Sequence, residues 1–203
     1  MALPTVLLTG FSTVINLDHR PTSQSSPYDI IDVAYVTVDP LQPEVKGRLA
    51  ISICPGKVDH KWNRNLDYDL EMIKNDGIQV IVCLLEWSEM KMLEIPDYPT
   101  RVQEGGLLFY HFPVKDRRAP TDKEIAVLIP IIINHLSIGQ HVLVHCRGGL
   151  GRAGTVCGCC LGHFGYSGKG AIELVRRQRP GAIQTKSQYN CVFNYCNSLK
   201  MKV

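Results

Sequence analysis

Cys146 and Arg152 stand six positions apart in His145-Cys146-Arg147-Gly148-Gly149-Leu150-Gly151-Arg152, with three glycines between them. That pattern suits phosphate chemistry. Residues 140–145 are apolar and β-branched enough for a short buried strand, and residues 152–164 read as a helix. A glycine-rich turn between the two can curl so that the N–H groups of Arg147, Gly148, Gly149, Leu150 and Gly151 point inward, and the helix N-terminus behind it adds the positive end of its dipole. A phosphate dianion fits such a cup. The same field, with the Arg152 guanidinium, favours the thiolate of Cys146, the nucleophilic form of the side chain. Arg152 can grip two phosphate oxygens with its planar fork, a geometry lysine lacks. A buried cysteine and a surface arginine on a connector would explain a bare Cys-x5-Arg. They do not explain His145, three glycines and a strand-to-helix setting together.

A nucleophile that expels an alkoxide or phenoxide needs an acid to protonate it. Asp116, in Pro113-Val114-Lys115-Asp116-Arg117-Arg118-Ala119-Pro120, follows a strand over 107–112 and so sits at a carboxyl edge, where ligands of parallel sheets bind. Asp122 is the fallback acid, although its place suits support of a helix N-terminus.

The remaining elements are read from periodicity and punctuation. Strands are expected over 31–38, 48–54 and 79–84, the second ended by Pro55-Gly56. Leu66, Leu70 and Ile73 recur at helical spacing before an Asn75-Asp76-Gly77 stop, and residues 86–93 read as a short helix. Thr121 with Glu124 forms a capping box for a helix to Leu136, which Pro130 should kink, and Gly139 closes it. Two further helices are expected over 169–179 and 187–199. Strands alternating with helices give an α/β fold, a mainly parallel central sheet flanked by helices on both faces. Residues 1–28 read as an irregular N-terminal segment and loop, and residues 29–203 as one catalytic domain.

At 203 residues with 45% hydrophobic side chains, one domain with a sizeable core is expected. A net charge of +3, with no five-residue run of like charge, gives no reason to expect a nucleic-acid partner. No apolar stretch is long enough for a membrane span, and no cleavable leader is read, so the chain is expected in the cytoplasm, with the nucleus as a second compartment, and as a monomer. Its eight cysteines are then reduced thiols. Cys157, Cys159 and Cys160 look like half a zinc site without a second pair of ligands, so core packing is the expected role and no metal is assigned.

The His-Cys-x5-Arg run resembles the signature of cysteine-dependent protein phosphatases. Pro55-Gly56-Lys57, residues 65–77 with Ile78-Gln79 after them, the Pro-x-x-Asp loop ending at Asp116, the Cys146 loop and Gly181-Ala182-Ile183-Gln184-Thr185 occur in the order found in the kinase-associated phosphatases of the dual-specificity family. The resemblance spans residues 30–200. It implies a protein tyrosine phosphatase-like fold and cofactor-free removal of phosphate from phosphotyrosine, phosphoserine or phosphothreonine through a cysteinyl-phosphate intermediate. It also implies a phosphoprotein partner, with a cyclin-dependent kinase as the precedent. Gln184 or Gln188 would position the hydrolytic water. Cys83, on a strand near the loop, matches a cysteine of the relatives and would trap oxidised Cys146 as a disulfide, unless it is simply a buried strand residue. Two other classes remain in view: a module that holds phosphorylated partners or a kinase, and a phosphoinositide or RNA-phosphate phosphatase using Arg147, Arg117 and Arg118. A sulfurtransferase would leave Asp116 without a task.

One position departs from the family. The residue after the arginine is usually Ser or Thr, whose hydroxyl stabilises the departing thiolate when the phosphoenzyme breaks down; here it is Ala153, and Thr155 is the nearest hydroxyl. The expected outcome in rapid-mixing assays is a burst of dephosphorylated product followed by slow turnover. Linear release from the first turnover would contradict it.

Overall fold

The computed structural model describes residues 24–25, 30–36 and 45–200. Most of the expected N-terminal segment, and the end of the expected first strand at 37–38, lie outside them. The elements run β1 (Gln24–Ser25), β2 (Val33–Val36), β3 (Leu49–Ser52), β4 (Val58–Asp59), β5 (Trp62–Asn63), α1 (Leu66–Asn75), β6 (Ile78–Cys83) and α2 (Trp87–Met92). They continue with α3 (Tyr98–Glu104), β7 (Leu108–His111), α4 (Asp122–Ser137), β8 (His141–His145), α5 (Gly151–His163), α6 (Gly168–Gln178) and α7 (Lys186–Lys200).

The main sheet has the order β2-β3-β8-β6-β7. Only β2 is antiparallel to its neighbour; β3, β8, β6 and β7 run parallel. Parallel strands bury both faces, and the side chains alternate accordingly. Leu49, Ile51, Val80, Val82, Val142 and Val144 join one apolar cluster with α4 to α7. Ala50, Ile78, Ile81 and Leu143 join a second cluster with α1 and α3. Helices therefore cover both faces, as the alternation of elements implies. The central strand is β8, and its carboxyl end carries Cys146 between the carboxyl ends of β3 and β6.

On one face α5 and α7 pack closely because Gly154, Gly158 and Gly162 form a stripe at helical spacing. A methyl added at Gly162 would lie 2.4 Å from Cys196 Sγ, and one at Gly158 would lie 2.9 Å from Val192 Cγ1. Cys157, Cys159 and Cys160 are fully buried on α5. Among the described residues no cluster of three or more His, Cys, Asp or Glu could hold a metal ion. No helix among them is long and apolar enough to cross a membrane.

Strand β1, helix α3 and the hairpin β4–β5 differ from the sequence reading. Helix α4 runs continuously through Pro130, which sits on the exposed face; there the carbonyl of Ala126, deprived of its N–H partner, can turn to water. Helix α3 was not expected. Nor was the hairpin β4–β5, in which Asp59 Oδ1 accepts the N–H groups of Lys61 at 2.9 Å and Trp62 at 3.1 Å. Its base is set by a buried ion pair: Asp69 holds Arg64 Nε at 2.8 Å and Nη2 at 2.7 Å, and also accepts the Gly56 N–H at 2.8 Å. Asp69 thus ties α1 to the Pro55-Gly56-Lys57 turn after β3.

Candidate active site

The Cys146 loop leaves β8 and enters α5 without a side-chain cap. Its carbonyls are taken up from outside: Arg147 O by the Cys54 N–H at 3.3 Å, Gly149 O by Arg179 Nε at 3.3 Å, and Leu150 O by the N–H groups of Gly154 at 3.1 Å and Ile183 at 3.2 Å. Among the described residues the N–H groups of residues 147–151 have no such partner. Amides left without protein partners at a helix N-terminus can form an anion cup. Gly149 is obligatory in it, with φ at +62° and a prospective Cβ 2.2 Å from Ser52 O. Gly148 has open space around it, so its role is at the rim. Cys146 is 3% exposed, at the floor.

Arg152 is 1% exposed, and its guanidinium is held by Glu89. Nη1 lies 2.6 Å from Glu89 Oε2 and 2.9 Å from Val114 O, and Nη2 lies 2.8 Å from Glu89 Oε1. Burial works against the charge, but the Glu89 bond and the proximity of Cys146 raise the arginine further above its usual range. Glu89 itself is oriented by the first turn of α2, where Glu86 N–H donates to Oε2 at 3.0 Å. Sequence reasoning missed Glu89. The signal available was a Glu86-x-x-Glu89 cap just past the carboxyl end of β6, on the catalytic edge.

Asp116 lies in the loop after β7, half exposed, with Oδ1 3.0 Å from Arg152 Nη2. That loop is pinned by the Val114 N–H on Leu84 O at 3.1 Å and by Gln188 Nε2 on Arg118 O at 3.1 Å. Gln188 is fully buried, and its Oε1 accepts the N–H groups of Gln184 at 2.9 Å and Thr185 at 3.2 Å. Its amide is therefore committed to backbone. Gln184 is exposed and lines a cleft of about 380 Å³ together with Asp116, Arg147 and Gly148. Asp122 stands in the exposed first turn of α4, outside the residues that line this cleft. The Thr155 hydroxyl donates to Gly151 O at 2.8 Å inside the helix, so it is not free to serve in place of one at Ala153.

Beneath the loop, His145 is fully buried with Nε2 2.9 Å from the Tyr98 hydroxyl. Burial, only partly offset by the Cys146 backbone, pushes its pKa from 6.5 to about 3, and the Arg152 charge acts in the same direction. The imidazole is neutral at ordinary pH. Cys83 pairs with His145 in the sheet register and is also buried. Burial pushes its thiol up to about 12, with Cys146 near enough to add to the shift.

Residues 45–192 match the family described as Swiss Army Knife protein, DSP-PTPase phosphatase domain. Cyclin-dependent kinase inhibitor 3 of Homo sapiens is 30% identical over 154 residues, covering 74% of this chain and 73% of that protein. Among solved structures, a kinase-associated phosphatase with serine in place of its catalytic-site cysteine superimposes with a TM-score of 0.76 at 26% identity, covering 84% of this chain and 97% of that one. Tk-PTP in its active form gives 0.63 at 29% identity, covering 76% and 97% respectively.

Neutral burial of His145 makes a prediction about acid. Between its unfolded value of 6.5 and its folded value of about 3 the unfolded chain binds the extra proton, so stability is lost as pH falls through that window. In urea unfolding from about pH 7 to about pH 4, the wild type should lose up to ~1.4 kcal/mol per pH unit more than His145→Gln. Parallel pH profiles for the two proteins would contradict the neutral assignment.

Proposed function

The chain belongs to the dual-specificity (DSP-PTPase) phosphatase domain family, and from that premise we propose that it is a cysteine-dependent phosphoprotein phosphatase. The single observation that carries this reading is Arg152, whose Nη2 lies 3.0 Å from Asp116 Oδ1 and whose guanidinium lies near enough to Cys146 for its pKa to be raised by it, beside a cleft that Asp116 lines.

In the proposed cycle the phosphoryl group enters the cup of amides from Arg147 to Gly151. With Glu89 and Val114 occupying the far side of the guanidinium, Arg152 offers the phosphate its Nε–H and the Nη2–H that otherwise meets Asp116. The Cys146 thiolate attacks phosphorus, the S–P bond forms, the P–O bond to the substrate breaks, and Asp116 gives its proton to the leaving oxygen. Water positioned by Gln184 then attacks the phosphocysteine, Asp116 takes the water proton, and the S–P bond breaks to release phosphate and regenerate the thiolate. Charge developing on the equatorial oxygens stays under the same fixed donors throughout, which is where most of the rate acceleration is expected. Cys83 has no step in this cycle; its proposed role is protective. A peroxide that oxidises Cys146 to the sulfenic acid would let the Cys83 thiol displace water and form a disulfide.

Phosphotyrosine, phosphoserine and phosphothreonine in proteins are the proposed substrates. A cyclin-dependent kinase is the partner suggested by the relatives' names. Against an aryl phosphate and a phosphopeptide, Cys146→Ser should abolish hydrolysis, and Asp116→Asn should lower kcat about 10²- to 10⁴-fold on the peptide. The loss should be smaller on the aryl phosphate, whose leaving group needs less help from an acid. Hydrolysis that persists in Cys146→Ser would overturn the reading.

A further inference from the structure

The cleft extends past the phosphate cup to the β4–β5 hairpin, and its far wall holds charges that the proposed cycle does not use. Lys57, Asp59, Lys61 and Trp62 from the hairpin side face Arg147 and Arg117 from the loop side. Lys57 is only 4% exposed, with its ammonium 4.9 Å from the centre of the Trp62 ring, so the indole limits where it can move. Asp59 is the carboxylate between the cations. Its Oδ1 is taken by the N–H groups of Lys61 and Trp62 that close the hairpin. Its Oδ2 alone faces both Lys57 Nζ at 3.3 Å and Arg147 Nη2 at 3.6 Å.

These separations exceed the roughly 2.7–2.9 Å of a full charge-assisted hydrogen bond. Two cations share one carboxylate oxygen. Burial pulls the Lys57 ammonium below the usual lysine range, with Asp59 acting in the opposite direction, so a further anion beside it would favour its charged form. Lys61 and Arg117 at the rim add to the positive field.

We propose that Lys57 and Arg147, bridged by Asp59, form a second oxyanion subsite beside the phosphoryl cup, and that the preferred substrate is a phosphopeptide segment with an acidic side chain or a second phosphoryl group next to the scissile one. This rests on the phosphatase reading above and adds the class of sequence selected. Asp59 fixes the hairpin turn with one oxygen and orients both cations with the other. The hairpin is therefore the specificity element, anchored from below by Arg64 and Asp69.

The test is the affinity of Cys146→Ser for three phosphopeptides of one sequence: neutral flanks, Asp or Glu flanks, and a neighbouring second phosphoresidue. The two anionic peptides should bind at least about tenfold more tightly than the neutral one, the factor a charge-assisted contact supplies, and the advantage should shrink with added salt. Adding Lys57→Met or Arg147→Gln should bring the ratio close to one. Arg147 is half exposed, so its replacement keeps the test available if Lys57→Met fails to fold. Equal affinity for all three peptides, or a preference that survives Arg147→Gln, would overturn the subsite, as would a soluble inositol bisphosphate that outcompetes every peptide. Phosphate release from the neutral peptide by the wild-type protein tests the phosphatase reading separately, so either idea can fail without the other.

Discussion

A guanidinium at 1% exposure is the constraint around which this molecule is arranged. Burying Arg152 costs several kcal/mol unless nearly every N–H finds a partner, and an arginine left unpaired there would be strongly destabilising. Glu89, the carbonyls of Leu84 and Val114, and Asp116 provide that pairing. They come from the carboxyl ends of β6 and β7, while the arginine itself begins the helix after β8. Satisfying one charge therefore gathers three strand ends and sets the shape of the cleft. The same pairing leaves the donors on the near side of the guanidinium for a ligand.

The preorganisation extends outward in the same way. The loop carbonyls are consumed by Cys54, Arg179, Gly154 and Ile183, which frees the loop amides. Gln188 links the acid loop to the segment that carries Gln184. Near Cys146, the neutral imidazole of His145 and the high-pKa thiol of Cys83 add no competing charge.

Much of this was legible in the chain. The main-sheet strands β3, β6, β7 and β8 and helices α1, α4, α5, α6 and α7 carry apolar periodicity or cap signals strong enough to read directly. The Cys146 loop declares itself through glycines between a strand and a helix. What was not legible depends on partners distant in sequence. Glu89 meets an arginine 63 residues away, so its local cap signal marks a helix start but does not reveal that partner. The β4–β5 hairpin has strands of two residues each, too short for a period, and exists because Asp59 closes the turn and Asp69 fixes its base. Gln184 and Gln188 were equivalent until burial separated them.

The central claim is that phosphoryl transfer passes through Cys146. Rapid acid quenching of wild-type protein with a phosphopeptide, followed by mass spectrometry of the peptide containing residues 145–152, measures that intermediate directly. The account predicts a phosphoryl adduct on Cys146 that forms within the first turnover and accumulates because, with Ala153 after the arginine and the Thr155 hydroxyl committed to Gly151 O, no hydroxyl stabilises the departing thiolate. Product release with no adduct on Cys146 at any quench time, or an adduct on another residue, would contradict it.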